Sequence, residues 1–480
     1  MGHHHSHSSN AGGNGSGDDG STVSRNGSKR GMSRSGSGAD IQEKAPAFVP
    51  VDKLTKLLVN RAQKEDGVNG ITENSFTKYL FPLYPELGSR LFRWLQAAGG
   101  GTRGSTHVSG SCFRTQCEKI LALIDDAEII HTFVQIFSSS EEAGSVGRAD
   151  LRALLYTSYQ LSMDHYPDGP RTCLSIQQTL GAVVEGCFDK KESHSAGFVE
   201  RWLQVHCRRG LSPVHRYCVH VLGTRHRDLQ ALGERPPPRQ GDTPVLDRAP
   251  CQRGGLLPLS AAWLLAATAA PLYTAAPPPP ACPRAWLSRL VCLAPSHWLP
   301  IYESQEHGLG LNRFLHHTLS YRGPTVVLLA AEELVVALCC SSEWRDSHQY
   351  WGAEGCALVQ LRPAHRLLEE GPRMVYLNSS ARGYPKGLRA GSDPRKPLLS
   401  VNEDFDTLTV STVPYPLRAL EVWGCGDTSS REKQLEIKKW QVKEAEKQGQ
   451  VKLSAAEWRE HPDRYLLELA GRPQYNNTDK

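Results

Sequence analysis

None of the thirteen cysteines stands in a Cys-x-x-Cys pair, the spacing that thiol redox motifs and many zinc sites use. Their number is odd and no secretory leader precedes them, so the expected setting is a reduced, cytosolic thiol pool. Charge of one sign is equally scarce. A formal net charge of +5 over 480 residues gives no case for a nucleic-acid partner. The segments expected to fold contain no Gly-x-Ser-x-Gly elbow for a hydrolase nucleophile. Gly387 is followed by Leu388 rather than lysine, so a phosphate loop is excluded by spacing. Long apolar runs are missing too. The best candidate, Leu256 to Pro277, is broken by Pro258, Pro271 and Pro277 and is rich in alanine, which contributes little to membrane insertion. A short helix capped by Ser260 and carrying Trp263 and Leu265 is expected there instead. No cofactor is expected.

With 39% hydrophobic residues in 480, the chain has enough material for two or three domains. Residues 1–44 are mostly Gly, Ser and Asn, too poor in apolar groups to fold. From Ala45 to about Asp228 the apolar period is helical: Leu54, Leu57, Leu58 and Ala62 share one face, and Ile129, Ile130, Phe133, Val134 and Phe137 another. About seven helices are expected over residues 45–228. Between two of them, Gly144, Val146 and Asp150 are spaced like the turn glycine, core aliphatic and last acidic residue of an EF-hand loop. A hard cation there needs several oxygen ligands. The earlier ligand positions are Ser139, Glu141 and Ala143, and the stretch around Asp66, Gly67, Asn69 and Gly70 is poorer still. The expectation is an EF-hand-like domain that binds no metal. Cys207, His215, Cys218, His220 and His226 lie close together, but Arg208, Arg209, Arg216, Arg225 and Arg227 surround them. That points to a basic solvated face rather than to zinc. Residues 229–255 read as a Pro/Gly-rich linker.

The tract that follows changes period. Apolar runs of strand length recur at 326–329, 334–340, 356–361, 373–377, 398–401, 407–410 and 419–422, separated by Gly and Pro turn signals. Such spacing predicts a two-layer antiparallel sandwich. The ordered set Glu303, Ser304, His307 and Gly308, then Gly323 and Pro324, then Gly387 and Gly391, then Glu421 and Trp423 resembles the TLDc domain of oxidation-resistance proteins and their relatives, over residues 256–427. Arg389 stands where that family usually has glycine. The fold class is therefore α+β: an all-α EF-hand-like region followed by a TLDc two-sheet sandwich with flanking helices. Ser304 and Glu303 beside His307 are expected to cap the helix that follows rather than to form a catalytic group.

Three features suggest interaction. Met1-Gly2 with Ser6 fits the acylation pattern of an N-terminal glycine, with an interrupted affinity tag as the other reading. One acyl chain gives only marginal, reversible membrane binding. The loop bearing Arg382, Lys386, Arg389, Arg395 and Lys396 against Asp393 alone reads as a docking site for an acidic protein surface. Residues 428–480 form a charged helical arm, on which Trp440 sits amid a sparse apolar stripe. This architecture resembles the myristoylated, mTOR-associated TLDc proteins of lysosomal membranes. The resemblance implies a non-enzymatic adaptor, attached to membrane through Gly2, that binds the V-ATPase and influences mTOR or stress signalling. The alternative is an oxidation-resistance enzyme acting on peroxide through cysteines such as Cys339 and Cys340.

Overall fold

The computed structural model describes residues 49–99, 106–138, 144–163, 175–231, 255–275, 291–293, 295, 297–449, 466 and 469. Gly2, the 1–44 tail, nearly all of the 229–255 linker and the end of the C-terminal arm lie outside these residues.

Nine helices occupy 49–231 among the described residues, two more than the period suggests: α1 (Val49–Glu65), α2 (Glu73–Leu80), α3 (Pro85–Ala98), α4 (Gly110–Ala122), α5 (Asp126–Phe137), α6 (Arg148–Met163), α7 (Ile176–Phe188), α8 (Ala196–His206) and α9 (Ser212–Ala231). Their starts follow local chemistry. The Thr72 and Ser109 hydroxyls accept from the amides of Ser75 and Cys112, and Pro85 opens α3 where its missing N–H costs nothing. Two short antiparallel ladders tie the loops in pairs. β1 (Ile71–Thr72) pairs with β2 (His107–Val108), and β3 (Ser145–Gly147) with β4 (Ser193–Ser195). The region is thus two coupled pairs of helix-loop-helix units, closed around Phe76, Phe81, Phe92 and Phe113.

The sandwich consists of two six-stranded sheets. Its strands are β5 (Leu299–Glu303), β6 (Thr325–Ala331), β7 (Leu334–Cys340), β8 (Ser347–Trp351), β9 (Ala357–Arg362), β10 (Arg366–Glu370), β11 (Val375–Asn378), β12 (Gly387–Ala390), β13 (Leu399–Val401), β14 (Thr407–Val410), β15 (Val413–Pro416) and β16 (Ala419–Gly424). One sheet runs β10-β9-β7-β6-β16-β5, the other β15-β14-β13-β12-β11-β8, and every pairing is antiparallel. Every residue of β6 and β7 is buried, because the first sheet has a core on each face. Val327, Leu329 and Cys340 point into the sandwich, while Val326, Leu328 and Cys339 point outward into a second core shared with the helices. Strands covered on both sides read as continuous apolar runs rather than alternating ones.

The helix α10 (Leu259–Thr268) fills that second core and is buried at every position. Trp263 packs edge-on against Tyr159. Ser260 is not its cap, as the sequence suggested; Pro258 is. Inside the core the Ser260 hydroxyl meets those of Ser175 and Thr179 at 2.9 and 2.8 Å. No described helix is long and apolar enough to cross a membrane. The solvated face expected around residues 207–226 is also corrected: Cys207, His215, Cys218 and His226 are all buried. The arginines of this stretch reach the surface on long apolar stems or bind carbonyls, as Arg209 does with Ala269.

Candidate functional site

The EF-hand-like loops show where a cation's ligands have gone. Asp66 accepts from the Thr72 and Ser75 hydroxyls, so this carboxylate is used within its own loop. Asp150 accepts from the Gly147 amide at 3.3 Å and from Arg90, whose guanidinium also donates to the Phe137 carbonyl at 2.7 Å. From the same loop, Arg148 donates to the carbonyls of Asp189 and Lys191 in the paired loop at 2.7 and 3.2 Å and pairs with Glu185. A guanidinium therefore takes oxygens that a hard cation would otherwise claim, and bringing Ca²⁺ to either loop means displacing a charged hydrogen-bonding group. Calcium titration of the purified chain is expected to give no binding heat and no change in melting temperature, since a site on the native state must stabilise it. Stabilisation by several degrees at micromolar calcium would overturn this reading.

The expected docking loop is not a single loop. Strand β12 divides it, placing Arg389 half-buried within the second sheet, opposite Tyr376 and Ser400. Lys386 pairs with Glu403 at 3.0 Å, so its charge is locally offset. Arg382, Arg395 and Lys396 stay exposed, the last two in a turn where the Asp393 carboxylate and carbonyl accept from the Arg395 and Lys396 amides. Gly387 holds a backbone φ of +101°, and a methyl there would collide with the Val401 carbonyl, so only glycine lets β12 and β13 approach so closely.

The remaining motif residues fasten the sandwich. The Ser304 hydroxyl accepts from the Leu420 amide at 2.9 Å, joining helix α11 (Ser304–His307) to β16. It caps no helix, and Glu303, at the N-cap position, makes no side-chain cap bond either. The His307 ring contacts the Glu303 backbone and stacks on Tyr302, whose hydroxyl donates to the Gly308 carbonyl at 2.6 Å. Glu421, buried and raised by desolvation above the usual carboxylate range, accepts from the Leu256 amide at 2.6 Å and the Trp423 indole at 3.0 Å. It pins the approach to α10 against β16. Gly323, Pro324 and Gly391 sit at strand margins, and the Pro324 carbonyl accepts from the Cys425 amide. These roles depend on partners as much as 165 residues away, which is why local sequence does not reveal them.

The last helix, α13 (Thr428–Gly449), has a fixed root and a free shaft. Asp427 accepts from the amide and hydroxyl of Ser430 and from the Ser429 hydroxyl, and these bonds hold its carboxyl below the usual range. Helix α12 (Leu311–Thr318) ends with unpaired carbonyls, as every helix does. Gln434 donates to the carbonyls of His317 and Leu319 at 2.8 and 3.0 Å, and Lys438 reaches His317 at 3.4 Å. A cation at a helix C-terminus is favourable, and half-burial lowers the Lys438 amine to about 8. Beyond the root, Leu435, Trp440 and Val442 are 42, 63 and 57% exposed. At about 100° per residue, Leu435 and Val442 share a side while Trp440 projects from another. The arm expected from sequence is therefore docked for its first turns and open beyond them.

No curated protein matches the chain. Residues 286–426 match the family model described as the TLDc domain, so the two-sheet sandwich that anchors the last helix is a TLDc domain.

Proposed function

We propose that this chain is a non-enzymatic regulatory adaptor that attaches to membrane through an acylated Gly2 and binds the V-ATPase, with mTOR or stress signalling downstream. The observation that carries the adaptor reading is α13: its root is anchored by Gln434 and Lys438, whereas Trp440 stands in solvent. A helix held at one end with a large exposed aromatic is suited to bury that aromatic in a partner. The exposed Arg395–Lys396 turn supplies charge of the sign that an acidic surface attracts. The enzyme alternative loses support at its named thiols. Cys339 and Cys340 are wholly buried, and burial drives both thiol pKa values up, Cys339 to about 12.

Surface-plasmon kinetics on purified V-ATPase tests the reading. Trp440→Ala is expected to raise the dissociation rate by roughly thirtyfold, the equivalent of a hot-spot side chain. Arg395→Glu with Lys396→Glu is expected to slow association, more strongly at low salt. Lys386 is left in place, because Glu403 already offsets its charge. Gly2→Ala should leave binding to detergent-solubilised V-ATPase unchanged and remove the protein from the membrane pellet. Unaltered kinetics in both surface variants, with melting temperatures preserved, would rule out these elements as the interface.

A further inference from the structure

The second sheet carries a core on one face only. Leu377, Leu388, Val401 and Leu408 point into the sandwich, so the residues between them along each strand face outward. Across β12, β13 and β14 the outward residues Arg389, Ser400 and Thr409 stand opposite one another in register, on strands about 4.8 Å apart. Together they line a cavity of about 370 Å³, within the range of about 300–1,000 Å³ common to ligand sites. The other polar groups of its wall are already engaged. Asn402 accepts from the Asp406 and Thr407 amides and donates to the Asp406 carboxylate, the Thr407 hydroxyl donates to the same carboxylate, and Lys386 holds Glu403 at 3.0 Å. Arg389, Ser400 and Thr409, by contrast, make no side-chain hydrogen bond or ion pair with any described residue. On the far side of Arg389, Tyr376 stands opposite it and packs at 5.1 Å on Tyr350, whose buried hydroxyl also has no partner among the described residues. The cavity thus presents a half-buried guanidinium and two hydroxyls with their donors unspent.

We propose that this cavity binds a phosphate monoester carried on a serine or threonine side chain of a partner peptide. A guanidinium is a planar fork that takes two oxygens of an oxyanion at once. A phosphate monoester has three terminal oxygens; two fill the Arg389 fork and the third is left for the Ser400 and Thr409 hydroxyls. A carboxylate has only two, so it leaves those hydroxyls idle. Half-burial of Arg389 strengthens the contact, because a pair of charges attracts more strongly away from bulk water. The engaged groups of the wall do not compete: Glu403 is neutralised by Lys386, and the Asp406 carboxylate is turned to Asn402 and Thr407. A lipid headgroup carries the same chemistry but meets this face badly. Glu403, Asp404 and Asp406 are exposed in the loop after β13 and would be pressed against an anionic bilayer, whereas a single extended peptide passes beside them. This inference does not rest on the V-ATPase reading.

Calorimetric titration of the full-length protein decides it. The probes are capped tripeptides with phosphoserine, glutamate or serine between two alanines, inorganic phosphate, and vesicles of phosphatidylcholine with a phosphoinositide. The phosphoserine peptide is expected to bind about tenfold more tightly than the glutamate peptide, and the serine peptide should give no heat. Arg389→Ala should weaken phosphopeptide binding by about tenfold to a hundredfold, as the loss of a charged hydrogen-bonding partner does. Arg389→Lys should recover only part of that loss, because an ammonium has no fork. Ser400→Ala with Thr409→Val should cost roughly fivefold with the charge intact. Equal binding of the phosphoserine and glutamate peptides, or an Arg389→Ala variant that binds like the wild type, would overturn the proposal. So would inorganic phosphate binding as tightly as the peptide, which would make the site one for the free ion, or binding to the vesicles alone. If a variant fails to fold, the ranking of the probes on wild-type protein still gives the answer.

Discussion

Gly186→Ala is expected to destabilise the protein by about 2–3 kcal/mol, near the top of the range for overpacking a filled core. Gly186 lies on the face of α7 that meets the turn between β9 and β10. There the His365 amide donates to the Ala182 carbonyl at 2.8 Å, and a methyl on Gly186 would collide with the His365 carbonyl oxygen. That oxygen belongs to the backbone of a short turn between two paired strands, so it cannot swing aside as a side chain would. The helix must lift, and with it the contact through which the helical region rests on the TLDc sheet. Gly223, within α9, is the control, since nothing lies within 4 Å of a methyl placed there. Gly223→Ala is expected to stabilise by up to about 1 kcal/mol through helix propensity. Urea unfolding of both variants gives the comparison. If Gly186→Ala matched Gly223→Ala, the turn would not be seated on α7 as described.

The same junction shows why some parts of the molecule are legible in the sequence and others are not. Strands β6 and β7 announce themselves because burial on both faces leaves no polar position to break the apolar run. The α1 stripe of Leu54, Leu58 and Ala62 is just as plain. The partners β2 and β4 are two and three residues long, and nothing in His107-Val108 or Ser193-His194-Ser195 shows an alternating pattern. Helix α10 is apolar all round, a composition shared by membrane spans and core helices, and only the two surfaces flanking it settle which it is. Arginine density in α9 suggested solvent exposure, yet the His215 ring donates from Nε2 to the Ile120 carbonyl 95 residues away. At the candidate site, Trp440 was readable as exposed because so few apolar neighbours accompany it. Ser304 suggested a cap locally and serves β16 instead.

Lowering the pH from 7.5 to 5 is expected to remove about 2 kcal/mol of stability through His365 alone. This imidazole is wholly buried, between Thr268 of α10 and the end of α8. Its Nε2 lies 2.8 Å from the His206 carbonyl and 3.1 Å from the Thr268 hydroxyl, and Nδ1 has no partner among the described residues. Burial leaves a charged ring without water, so desolvation pulls the pKa from 6.5 to about 4, and the opposing hydrogen bond to the His206 carbonyl offsets only part of that fall. In the unfolded chain the ring titrates near its ordinary value. Between pH 6.5 and 4 the unfolded state therefore binds more protons, and stability must fall as pH falls through that window. The contribution is fully present above pH 6.5, and the whole shift corresponds to about 3 kcal/mol. His206 is lowered by its own burial and by Arg366, so it acts in the same direction at the same junction. His365→Gln retains an amide donor for the His206 carbonyl and cannot be protonated in this range. The variant should be weaker than the wild type at pH 7.5 and should lose less stability on acidification. Urea unfolding of both proteins at pH 7.5, 6 and 5 measures the two slopes, and parallel slopes would mean that His365 is not the group that makes the helix–sheet junction acid-labile.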